Sequence, residues 1–250
     1  MIKLSGIRKT FGKGSPNEIR ILDNFNLEVM KGDFIVVVGS NGSGKTTLLN
    51  LIAGTVKPDS GSITFEGNDI TGLKDFNRSK WIARIFQNPL AGTAPDLTVL
   101  ENFRLASQRT KPKGLITGTG NKFRALVKEK ISVLNLGLEN KLEQSMGSLS
   151  GGQRQALSLL MAIMDDTKIL LLDEPTAALD PKTSLLILEL AKKVINEYGL
   201  TAIMVTHQIS DVIEYGNRVI QMKEGRIIRD IHGKDRKLFT MNEVYEWFNH

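Results

Sequence analysis

The sequence predicts an α/β fold with a largely parallel sheet, and three observations carry that expectation. Residues 34–38, 169–172 and 202–206 form short, nearly unbroken apolar runs, as strands buried on both faces do. Helical patterns over 45–53 and 180–198 follow the first two runs, so strand and helix alternate as in a parallel sheet. The third observation is the loop Gly39-Ser40-Asn41-Gly42-Ser43-Gly44-Lys45-Thr46-Thr47, between the first run and its helix.

That loop fits the pattern Gly, four residues, Gly-Lys-Ser/Thr. Its glycines let successive backbone N–H groups turn into one concavity that side chains would block. The start of the following helix adds positive potential there. The segment reads as a nucleoside-triphosphate site, with Lys45 able to reach the β- and γ-phosphates and the Thr46 hydroxyl available to Mg²⁺.

A hydrophobic content of 41% over 250 residues is enough for a sizeable core. The net charge of +6 admits an anionic neighbour, although the basic runs within 104–130 and 223–237 read as solvated faces. With no cysteine, disulfides and thiolate metal sites are excluded. No apolar run approaches the ~20 residues of a membrane span, and the first residues lack a signal-peptide core. The expectation is a soluble chain whose membrane role, if any, runs through a partner.

Taken in order, residues 2–8 and 19–29 alternate loosely and read as edge strands around the loop 13–17. The helix over 45–53 stops at Gly54. Residues 61–67 read as a strand bounded by turns, and 81–86 lead to Gln87. From 89 to 95 the Ala, Gly, Thr and Pro content signals a linker. Thr98 caps a helix expected to run through Arg109. Phe123, Leu126, Val127, Ile131 and Leu134 recur at helical spacing, with Gly137 as the stop. A further apolar helix spans 155–164. Asp180 caps the helix over 180–198, with Pro181 in its first turn and Gly199 at its end. Residues 219–222 and 226–229 form a hairpin. Thr240 and Glu243 suggest a capping box for a last helix.

Asp173 and Glu174 end a buried strand. A carboxylate held rigidly beside a phosphate loop suits Mg²⁺, and the next acid could accept a proton from an attacking water. Leu149-Ser150-Gly151-Gly152-Gln153 opens an apolar helix, which makes a second anion-binding helix start. Taken alone, Phe11 reads better as a core or loop aromatic and His207 as a satisfied core histidine, and Gln87 reads as well as a strand-end polar residue.

The ordered set 39–47, Gln87, 149–153, 169–174, Ala178-Leu179-Asp180 and His207 resembles the nucleotide-binding subunit of ATP-binding-cassette transporters across nearly the whole chain. The resemblance implies one ATPase domain over 1–250. Within it a RecA-like β core spans 1–87 and 165–230 with an N-terminal antiparallel portion, an inserted helical subdomain spans 88–164, and a tail helix occupies 231–250. It implies that Phe11 stacks on adenine, although the family more often has Tyr. Residues 39–47 hold the phosphates, and Thr46, Gln87 and Asp173 organise Mg²⁺. Glu174 is the general base, and His207 contacts the γ-phosphate. A second cassette would contribute Ser150, Gly151, Gly152 and Gln153 to each ATP, and Asp180 would help join the pair. The implied partners are a second cassette and a transmembrane permease, with no nucleic acid, at the cytoplasmic face of the cell membrane. Gly92-Thr93-Ala94-Pro95-Asp96-Leu97 resembles a bacterial group that works with a substrate-binding lipoprotein, some of whose members import aromatic amino acids.

Overall fold

The computed structural model describes residues 1–110, 118–233 and 241–249. The chain opens with β1 (Ile2–Phe11), β2 (Ile19–Val29), β3 (Phe34–Val38), α1 (Lys45–Ala53), β4 (Ser60–Phe65), β5 (Asn68–Asp69) and α2 (Asp75–Arg78). It continues through β6 (Ile82–Ile85), α3 (Val99–Ala106), α4 (Asn121–Ser132), α5 (Gly151–Ala162), β7 (Ile169–Asp173) and α6 (Pro181–Glu197). It closes with β8 (Thr201–Val205), α7 (Ile209–Glu214), β9 (Arg218–Lys223), β10 (Arg226–His232) and α8 (Met241–Asn249). The Thr240 cap expected for the last helix lies outside the described residues, as do parts of both basic runs.

Two compact units divide these elements: Met1–Ser79 with Leu200–His250, and Lys80–Gly199. The family resemblance instead implies boundaries at 87/88 and 164/165. By compactness β6, β7 and α6 keep company with the helices.

In the first unit an antiparallel sheet has the order β2-β1-β4-β5. Strand β1 pairs with both β2 and β4, so it is interior, and the expectation of an edge strand there is corrected. Loose alternation reports one buried face and says nothing about the number of neighbours. Strand β3 runs parallel to β8 on one side and β9 on the other. Every residue of β3 and β8 is buried, which is why both read as continuous apolar runs. Strand β10 adds antiparallel to β9. Arg78, with no exposed surface, donates to the carbonyls of Leu51, Ile52, Ile70, Thr71 and Leu73. The first two belong to the last turn of α1, whose carbonyls have no partner within the helix. Helix α8 buries Val244 and Trp247, and Gln221 donates to the Trp247 carbonyl at 2.9 Å.

In the second unit β6 and β7 pair in parallel, Ile82 opposite Ile169 through Ile85 opposite Leu172. Helix α5 packs on β6, α3, α4 and α6. Gly152 sets the α5–α6 approach, since a Cβ there would run into the Thr183 methyl. Helix α3 ends at Ala106 rather than the expected Arg109, whose guanidinium instead donates to the Ala162 carbonyl and the Thr167 hydroxyl. Among the described residues, no helix is long and apolar enough to cross a membrane.

Candidate functional site

The first unit carries Phe11, the phosphate loop and His207. The loop leaves buried β3 and enters α1 through Gly44, whose φ of 101° lies in the left-handed region. Gly39 has φ 144°, and a Cβ on it would collide with the Met222 carbonyl oxygen. The β9–β10 turn backs the loop, with Gly225 N–H donating to the Ser43 carbonyl at 3.1 Å. Lys45 is 6% exposed, and its ammonium donates to the carbonyls of Gly39 at 2.7 Å and Ser40 at 3.0 Å. Ser40, Asn41, Gly42 and Thr46 are exposed, and Thr47 is half-buried. Nothing lies within 4 Å of a Cβ built on Gly42, so the loop is open to solvent at that position. The Phe11 ring is 41% exposed at the end of β1, with the Lys9 ammonium 5.2 Å from its centroid.

His207 is exposed just beyond β8. Its turn is fixed by two residues that the sequence reading missed. The Thr206 hydroxyl donates to Asp211 Oδ2 at 2.6 Å and accepts from Gln208 N–H at 3.0 Å. Burial pushes the Asp211 carboxyl above its ordinary value, the Thr206 and Ser210 hydroxyls pull it down, and Glu214 pushes it up. A raised native pKa gives stability that is present below the unfolded value of 3.8 and lost as pH climbs through the native value. Asp211→Asn keeps an acceptor for Thr206, so it should melt about 2–4 °C above wild type at pH 7. That gain should disappear toward pH 4 in calorimetric scans; an equal gain at both pH values would refute the cause.

The second unit carries Gln87, Asp173, Glu174, the 149–153 segment and Asp180. Glu174 adopts φ 46°, a left-handed conformation that costs a non-glycine residue ~1–3 kcal/mol and tends to occur at functional sites. The Gln87 amide donates to Glu174 Oε2 at 3.3 Å, so two of the expected residues meet. Asp173, 7% exposed, accepts from Arg84 Nη2 at 2.5 Å. The Ser150 hydroxyl accepts from Gln153 N–H at 3.3 Å, and Gln153 Oε1 accepts from Ser150 N–H at 3.1 Å. These two residues thus form a reciprocal capping box on α5. Asp180 caps α6 by accepting from Thr183 N–H at 3.1 Å, and hydrogen bonding from the Thr183 side chain first, then from that N–H, holds its carboxyl below the usual range.

Two more residues of this unit escaped the sequence reading. Gln155, 1% exposed, donates to the carbonyls of Phe86 at 3.0 Å and Pro175 at 2.8 Å. One amide on α5 therefore ties down the residue before Gln87 and the residue after Glu174. Asn102 accepts from Ala94 N–H and donates to the Ala94, Leu97 and Thr98 carbonyls. The segment 89–95, expected to be a linker, is thereby tied to α3 at Ala94. The available signal was an Asn among the apolar residues of α3; Gln155, at the first position of the helix expected over 155–164, gave none.

The family model described as ABC transporter matches residues 22–177, more than half the chain. The chain belongs to the ABC transporter family. The ABC transporter relatives include the Tyrosine transport ATP-binding protein of Clostridioides difficile (strain R20291), 38% identical across 100% of this chain and 99% of that protein. The Phosphonates import ATP-binding protein PhnC 2 of Oceanobacillus iheyensis is 34% identical over 88% of this chain and 87% of its own length. Among solved structures, the ATP-binding cassette MJ0796 of Methanocaldococcus jannaschii, as a post-hydrolysis dimer bound to ADP and Pi, superposes with a TM-score of 0.78. It is 34% identical and covers 93% of this chain and 98% of its own. The ABC transporter chain is thus an ATP-binding, ATP-hydrolysing subunit that powers transport.

Proposed function

We propose that this cassette energises the import of an amino acid, with tyrosine or a chemically similar aromatic one first. It would do so through a partner permease at the cytoplasmic face of the cell membrane, supplied by an extracytoplasmic substrate-binding protein. The end-to-end 38% identity to the Clostridioides difficile tyrosine transport protein carries the reading.

In this proposal two copies of the chain associate head to tail by a two-fold, isologous contact. Each ATP lies between the phosphate loop of one copy and Ser150, Gly151, Gly152 and Gln153 of the other. The capping box supports that role, because it orders the first turn of α5 and leaves glycine amides at a helix start suited to an anion. Phe11 stacks on adenine, and Lys45 holds the β- and γ-phosphates. Thr46, Gln87 and Asp173 are hard oxygen donors of the kind Mg²⁺ takes; when bound, the metal neutralises charge on the phosphates. Glu174 accepts the proton of the attacking water, and His207 contacts the γ-phosphate and orients that water. Asp180 lies at the junction of the two copies. Binding in the closed pair exceeds binding in the open one, so ATP shifts the equilibrium toward closure and hydrolysis releases it.

Vesicles carrying the chain with its permease, loaded with ATP and given the binding protein outside, should accumulate labelled tyrosine. Uptake of a phosphonate without tyrosine, or outward pumping, would refute the substrate or the direction.

A further inference from the structure

The carboxylate proposed to serve the metal already has a cation beside it. In the second unit Arg84 Nη2 donates to Asp173 Oδ2 at 2.5 Å, and the two side chains are only 11% and 10% exposed. The strand register places Arg84 opposite Leu171, two residues before Asp173. The guanidinium also lies 4.8 Å from the centroid of the Phe86 ring. An ion pair and an aromatic face therefore hold it in a poorly hydrated setting, where charges act strongly on one another. Arg84 stands in a strand otherwise made of Ile82, Ala83 and Ile85. Keeping a charge at such a place is costly unless it remains paired.

Resting on the metal assignment above, we propose that Arg84 is a positioning residue that acts as a resident counter-cation for Asp173 and sets how much Mg²⁺ the site requires. Arg84 neutralises Asp173 in the nucleotide-free chain, and its charge disfavours a second cation at the same carboxylate. Asp173 is then a poor trap for free Mg²⁺. Loading depends on the triphosphate, whose negative charge offsets Arg84, so metal and nucleotide are taken up together.

The test is a Mg²⁺ titration of the binding of a fluorescent ATP analogue to the purified chain, read against its binding in EDTA. Arg84→Gln keeps a donor for Asp173 and removes the charge; Arg84→Met removes both; Arg84→Lys keeps the charge and loses the planar fork. The half-saturating Mg²⁺ concentration should fall about tenfold in the Gln and Met variants and stay within about threefold of wild type in the Lys variant. If one charge-free variant fails to fold, the other decides. An unchanged or higher Mg²⁺ requirement without the charge overturns the proposal. Asp173→Asn serves as the reference and should raise the requirement. No effect of Asp173→Asn would sink the metal assignment and the Arg84 proposal with it. A shift in Asp173→Asn with none in Arg84→Gln or Arg84→Met would sink the Arg84 proposal alone.

Discussion

Glu174→Gln is expected to lower ATP turnover by about a hundredfold to ten-thousandfold, the usual contribution of a positioned general base. ATP affinity should stay within a few-fold of wild type. The expectation rests on how differently the two adjacent acids are set. Asp173 accepts from a guanidinium, whereas Glu174 accepts from the neutral amide of Gln87. Neighbouring carboxylates in unlike surroundings can take unlike roles. Glu174 is held by its φ of 46° and by the segment after it, which Gln155 anchors at the Pro175 carbonyl. Glutamine is nearly isosteric and can still accept from Gln87, so the geometry survives while the base is lost. With hydrolysis blocked and binding intact, the variant should accumulate as an ATP-dependent dimer in light scattering. Turnover within about tenfold of wild type would remove Glu174 from the role of base. Lost turnover with no dimer at any concentration would count against the shared site.

The parts of this molecule that were legible in the sequence are those that local chemistry dictates. Gly39 through Thr47 announces a phosphate loop by its own backbone demands. Asp180 with Pro181 announces a helix start, because capping is satisfied within three residues. Ser150 and its glycines announce another, but the Ser150–Gln153 capping box starts α5 at Gly151 rather than at the expected 155. The fully apolar runs at β3 and β7 announce buried strands. The arrangement around the two acids was not legible, because it is made by side chains far apart in the chain. Arg84 meets Asp173 across 89 positions, and Gln155 meets the Phe86 carbonyl across 69. Hydrophobic periodicity records which residues are apolar, and carries no signal for a buried polar side chain that finds a distant backbone partner. Asn102 made the same difference at the end of segment 89–95. Composition there resembled a loose linker, yet the single amide binds the N–H and carbonyl of Ala94 and the carbonyls of Leu97 and Thr98 beyond it. The interior place of β1 was hidden for a related reason, since its second neighbour, β4, lies some fifty residues away.

Lys45→Ala should weaken ATP binding by about a hundredfold or more. A hydrogen bond to a charged group is worth ~1.5–3 kcal/mol, each ~1.4 kcal/mol is tenfold in affinity, and Lys45 is proposed to touch two phosphates. The structure shows how the ammonium is held. It is nearly buried, and the Gly39 and Ser40 carbonyls accept its protons at 2.7 and 3.0 Å. Those acceptors are neutral, so a phosphate oxygen competes well for the same donor, because charge-assisted hydrogen bonds are the stronger ones. The fixed anchor at the end of buried β3 also limits the entropy that the long side chain loses on binding. Lys45→Met keeps most of the aliphatic stem and should lose a similar amount of affinity. That variant separates the charge from the packing of the stem, which Lys45→Ala also removes, while both leave the loop carbonyls without their donor. ADP, with one phosphate fewer, should lose less than ATP in both variants. Calorimetric titration of each folded variant reads these affinities directly. ATP binding within about threefold of wild type, well inside the energy of a single such contact, would mean that the phosphates lie elsewhere than at Lys45.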